Sequence, residues 1–491
     1  MSTELGALLG RAAEELSTDG PLDDLRAVGL RRVVRRRRVQ RHTVESVAGV
    51  AAAGVVGTAA WFGLDRGVPA PPAHTPSPSV SATPTLTPTP TPTPTPNPSL
   101  PPPLTPAPAR AGVPDAFVAP PGLLGQTAEG WMLSIYRPQY VPVGGTVDDA
   151  RADVQEVHLV SPAGEHYALL SLPVDPQVTV LHWDATAERA RVGMTSDGHD
   201  MTVGWLDLRT GALTTDQPPF DETGTYLTTL PDGNELWTEL EKTLLEGAAN
   251  PGVGVYVVAP GADPRLLVVD PYPLNHAYLD PGSEQIVTET VGWGGLDVTR
   301  ISDGSTRHIS YDRPGVQCFL VGWVDDTSVL VTCNDADGRA IVDGGLPTTV
   351  LVDTATSTAT VVSRLELGDP FPGISGRGVS AGGTLVFQGA PLTEDATFVD
   401  PTTGLYAWAG GTSTLLQSLG DDGGMFWTSV RGSTVYAEVA PTNADRAETI
   451  TAHDLESGAT TVLSGAPAPA EGVGQWLGDS VSWWVAGSSG N

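Results

Sequence analysis

A polar turn ending in glycine or serine, set between two runs of β-prone residues, recurs seven times along the C-terminal three quarters of this chain. It occurs at Gly164, Gly211, Gly261, Gly304, Ser357, Gly411 and Gly458, with a mean spacing of about 49 residues. A hairpin repeated at that period fits one outer hairpin per four-stranded blade of a propeller. Between these turns lie further polar turns: after Trp183 and Trp323, at 279–282 and 380–383, and beside Trp427 and Trp476. They read as the inner hairpins. The inner hairpin expected at 475–486 has no outer hairpin after it, so C-terminal strands are expected to complete a blade begun near Trp131. The fold class is therefore all-β, a seven-bladed propeller over 113–491, with eight blades as the alternative.

The turns at Asp207–Gly211 and Asp454–Gly458 share an Asp-x-x-Thr/Ser-Gly pattern. In this they resemble the turns of TolB-type and quinoprotein-type propellers. The aspartates have a local role, since Asx hydrogen bonding and a left-handed glycine close such a turn. They are read as structural and not catalytic. The repeated tryptophans are read as blade packing.

Charge divides the rest of the chain. Residues 1–42 carry nine arginines against six acids, whereas residues 67–491 carry 16 basic and 49 acidic residues, a net charge of −33. With Lys242 as its one lysine, the acidic part lacks the clustered cations that nucleic acid requires. Between the two parts runs an uncharged stretch, Val47 to Leu64. With 43–46 it is long enough for a membrane-spanning helix. The arginines before it place the N-terminus in the cytosol. More than 40 residues precede it, which disfavours a cleaved signal peptide. The expected order is a basic cytosolic segment (1–42), a transmembrane helix in the bilayer (43–64), a disordered stalk (65–112) and an extracytoplasmic propeller. In the stalk, 17 of the 40 residues from Pro69 to Pro108 are proline. Such a segment favours extended polyproline II and buries no core.

Leu5, Leu8, Leu9, Ala12, Ala13 and Leu16 give the N-terminal segment an amphipathic helical period. Its outline resembles the cytosolic ends of membrane-anchored proteins of high-GC Gram-positive bacteria, anti-sigma factors among them. The zinc ligands of the zinc-type members are missing, as His42 stands here without cysteines.

Cys318 and Cys333 flank Asp325–Asp326 symmetrically. A two-residue turn there would place them opposite each other, within disulfide reach, and the oxidising space outside a membrane makes a Cys318–Cys333 disulfide the expectation. A four-residue turn would shift the register and leave two buried thiols. No phosphate-binding loop, HExxH, CxxC or GxSxG occurs. Gly373–Gly376 has Arg377 where a nucleophile elbow needs glycine, and 334–338 lacks the glutamate of a calcium loop. His199–Asp200 reads as solvated surface. No catalytic, cofactor or metal residue is assigned. The expected function is binding or sensing of an envelope protein or glycan. The alternatives are a propeller hydrolase or lyase acting on envelope glycans or peptides, and an anti-sigma-like transmembrane regulator.

Overall fold

The computed structural model describes residues 104–110, 112–140, 151–152, 154–196, 201–216, 219–220, 224–244, 251–270, 278–290, 294–311, 316–335, 346–372, 378–393, 403–418, 424–441, 449–465 and 476–490. The apolar run 47–64, the basic segment 1–42 expected in the cytosol and most of the proline-rich segment lie outside them, as do 199–200 and 373–377. Among the described residues no helix is long and apolar enough to cross a membrane.

The described strands form seven sheets, each with a core of four antiparallel strands, and together they make a seven-bladed propeller. Blade 1 runs, from the axis outward, through Trp476–Val485, Met132–Tyr140, Gln155–Val160 and His166–Leu172. Blade 2 comprises Gln177–His182, Arg189–Thr195, Thr202–Asp207 and Leu213–Thr215. Blades 3 to 7 occupy 225–270, 278–310, 316–364, 370–418 and 424–464.

Each anticipated outer turn joins the third and fourth strands of a blade, and its key residue is left-handed. Gly164 has φ 84°, Gly211 74°, Gly261 73°, Gly304 72°, Gly411 91° and Gly458 69°, and Ser357 sits at 59°. Asp207 Oδ1 accepts the Arg209 and Thr210 amides at 3.0 and 2.8 Å. Asp454 Oδ1 accepts those of Glu456 and Ser457. The Thr210 hydroxyl, at 2.9 Å, and then the Thr210 and Arg209 amides hold Asp207 below the usual carboxylate range, as the Ser457 and Glu456 amides hold Asp454.

One turn is absent. Trp476–Val485 is a single ten-residue strand, not the inner hairpin expected at 475–486. It pairs antiparallel with Met132–Tyr140 along nearly its whole length. Leu477-Gly478-Asp479-Ser480 has turn-forming composition, but a continuous partner strand holds it extended. Ring closure therefore uses one C-terminal strand at the axis. Beyond it, Ser489–Gly490 pairs with Ser429–Val430 and links blade 7 to the same closure.

The core lies between neighbouring blades. Leu133, Ile135, Val157 and Leu159 of blade 1 meet Val178, Val180, Ala190 and Val192 of blade 2. Trp183, Trp237 and Trp323 are fully buried. Trp323 Nε1 donates to the Tyr278 carbonyl of blade 4 at 2.9 Å. These tryptophans are packing residues and form no open cage.

Five outer strands carry a β-bulge at one aliphatic residue: Leu169, Leu267, Val362, Leu416 and Leu463. The bulge turns Leu267 and Leu463 into the core while the preceding Leu266 and Val462 stay exposed. Bulges twist an edge strand and discourage edge-to-edge pairing.

Candidate functional site

The links between first and second strands, and between third and fourth strands, span at most six residues and all lie at one face. The remaining links leave the strands at the opposite face, and many of their residues lie outside the described ones. Among the described residues, polar groups gather at three places.

The first is a pocket of about 250 Å³ beneath an N-terminal strap. Residues 105–118 fold back on themselves, with Ala107 N donating to Ala116 O and Val118 N to Thr105 O, both at 2.8 Å. Phe117–Val118 then adds a short parallel strand to Tyr167–Ala168, at the outer edge of blade 1. Composition assigns residues 105–110 to the proline-rich stalk, yet they pack on the propeller. Arg110 Nε meets the buried Glu156 carboxylate at 2.6 Å. Ser171 Oγ bonds both Glu156 oxygens at 2.9 Å. His158 also lines the pocket. Burial, and then the neighbouring His166, push its imidazole down to about 3, so it is neutral at physiological pH. Ser171 is thus bonded to a carboxylate that a guanidinium already neutralises. The ion pair makes Glu156 a poorer general base toward that hydroxyl.

The second cluster joins blades 2 and 3. Arg191 is 5% exposed and forms ion pairs with Asp216 and Glu235. Trp205 and Trp237 donate their indole N–H groups to the same two carboxylates, at 3.0 and 2.9 Å. The guanidinium carbon lies 5.1 Å from the Trp205 ring. The group sets one guanidinium against two carboxylates, a net −1 that the part-exposed Asp216 can share with water, and it fastens two blades together.

The third is a set of polar second-strand residues reaching the next blade's inner strand. Arg137 donates to Gln177 at 3.1 Å. Glu289 accepts from the Leu320 amide, and Glu438 accepts from Trp483 Nε1. These contacts tie blades 1 to 2, 4 to 5 and 7 to 1.

Among the described residues no group of three or more His, Cys, Asp or Glu is placed to hold a metal ion. Cys318 and Cys333 are opposed in blade 5, with Cα atoms 3.9 Å apart and sulfurs at 2.10 Å. The turn between them is longer than two residues, and a bulge between Leu320 and Gly322 restores the register. Sequence reasoning missed the strap pocket and the Arg191 cluster. Both join residues from separate strands, and only the spacing of the repeat, not a local motif, pointed to those strands.

No protein-family model matches the chain, and no curated protein does. Solved structures of similar fold do exist. One comes from a study of two prolyl endopeptidases: 10% identity, TM-score 0.43, with 73% of this chain and 49% of that chain covered. A puromycin-hydrolyzing peptidase of Mycobacterium tuberculosis gives 15%, 0.40, 68% and 54%. Prolyl oligopeptidase B from Galerina marginata gives 8%, 0.42, 71% and 53%. The match thus spans about half the length of those structures. At these identities and scores the likeness concerns the propeller alone and transfers no residue roles.

Proposed function

We propose that this chain is a membrane-anchored propeller that binds or senses a protein or glycan at the outer side of a cell envelope, without catalysis of its own. The observation that carries this reading is the closure of the described polar clusters. Glu156 is satisfied by Arg110 and Ser171, and Arg191 by two carboxylates, so neither cluster offers a free nucleophile–base pair. Rigid scaffolds with variable connecting loops are common binding platforms. The charge split, the apolar run 43–64 and the proline-rich segment support the anchor and the spacer. The acidic outer part disfavours nucleic acid. The test is affinity capture from envelope extracts with the detergent-extracted full chain, followed by direct titration of each captured component. Recovery of no component that titrates would sink the binding reading.

A peptide hydrolase is the second reading. The structural neighbours are peptidases by name, and that supports it at the level of fold. Labelling of the full chain by a fluorophosphonate probe, with release of product from peptide substrates, would favour hydrolysis over binding alone.

A further inference from the structure

We propose that the outer edge of blade 1 is a strand-exchange site: the chain's own strap occupies it, and an extended peptide bearing a basic and an aromatic residue displaces the strap there. This rests on the binding reading above and names its partner class.

The strap is held lightly. Its ladder to blade 1 is two residues long, with one further backbone bond from Ala119 N to Ala168 O at 3.1 Å. The pocket of about 250 Å³ shows that strap and blade are not close-packed. Among the described residues its ion pair is that of Arg110, whose side chain is 49% exposed. The edge beneath is demanding by contrast. Glu156 is buried, and losing Arg110 would leave its carboxylate with only the Ser171 hydroxyl among these partners. A vacated edge therefore selects a replacement cation. Phe117 lies 6.1 Å from the Tyr167 ring, and Trp131 5.9 Å from it, so an aromatic side chain fits the same place. Backbone groups of 167–168 supply the ladder, the mode of β-strand addition.

Charge favours the same partner. The part of the chain from residue 67 onward carries −33, which draws cationic peptides and repels acidic ones. The strap also includes the end of the proline-rich segment, so displacing it would lengthen the part of that segment not packed on blade 1.

The test uses the full chain in detergent and a fluorescent synthetic peptide of residues 104–118, followed by anisotropy. Arg110→Ala loosens the resident strap, so that chain should bind the peptide at least tenfold more tightly than wild type. A peptide whose arginine is replaced by alanine should lose that affinity on both chains. Amide exchange at 167–169 should accelerate in the Arg110→Ala chain and slow again on adding peptide. A single cooperative thermal transition confirms that the variant is folded. Equal affinity of both chains for the peptide, or no binding to either, would overturn the proposal. So would a captured partner that the strap peptide cannot displace, an outcome that leaves the binding reading standing.

Discussion

Tyr136, on the second strand of blade 1, donates its hydroxyl to Ser464 Oγ on the outer strand of blade 7, at 3.0 Å and out of contact with water. Nearby, the His166 Nε2 atom lies 2.8 Å from the Leu463 carbonyl across the same seam. The joint between last and first blades is therefore polar as well as apolar. Tyr136→Phe removes the donor while keeping the ring. It should cost about 1–2 kcal/mol, seen as a lower urea midpoint with an unchanged slope. An unaltered midpoint would remove the hydroxyl from the account of this seam.

The same seam makes stability depend on pH. Burial, with His166 beside it, holds His158 at about 3, and burial also lowers His166. In the unfolded chain both take up protons near pH 6.5. Stability is thus full above about pH 7 and falls as the pH drops below 6.5. For His158 the loss reaches about 1.4 kcal/mol per pH unit and ends near pH 3, and His166 adds to it in the same direction. Urea unfolding at pH 7, 5.5 and 4.5 measures the slope. His158→Gln should flatten it, and parallel curves for the two proteins would refute the assignment.

Cys318 and Cys333 are both buried and their sulfurs are within bonding distance. Peptide mapping under non-reducing conditions should recover the two cysteines as one linked species. Closing a loop of 15 residues contributes about 3 kcal/mol in the chain-entropy account. The double Cys→Ala variant should lose stability of that order. Free thiols on both residues in freshly purified protein would exclude the bridge.

Blades 5 and 6 approach closely at Gly322. A Cβ there would meet the Gly378 carbonyl oxygen at 2.6 Å, where Gly378 N already bonds Val321 O at 2.8 Å. Gly322→Ala should destabilise by roughly 1–3 kcal/mol. Gly261→Ala, with open space around its Cβ, should cost only the turn strain of about 1 kcal/mol. Thermal melts of the two variants should rank in that order.

Membrane anchoring is tested by fractionation. The full chain should resist carbonate extraction, and deletion of 43–64 should release it. External protease should digest residues beyond 65 and spare 1–42. Release of the intact chain by carbonate would remove the anchor.

Much of the propeller was legible in the sequence because its outer turns are local. A left-handed backbone at Gly304 or Gly458 needs a glycine whatever surrounds it, and a serine at Ser357 bends to the same demand. What stayed hidden depends on partners distant in the chain. Gly478-Asp479 lies in a strand because Met132–Tyr140 runs beside it. The bulges at Leu267 and Leu463 are drawn by core space that no single strand reveals. The polar pocket stayed hidden for the same reason, since Arg110 comes from a segment whose prolines point to disorder while Glu156 comes from a strand.

Met132 pairs with Val485, about 350 residues later. Blade 1 therefore stays without its axial strand until residues 476–485 have been made. A nascent chain halted before residue 476 holds six potential blades and a strand at 132–140 whose axial edge is unpaired, a ready template for wrong partners. The C-terminal strand acts as a completion check. Its arrival turns an open arc into a ring, so truncations of even the last 16 residues should be cleared as misfolded chains and not accumulate as shortened propellers.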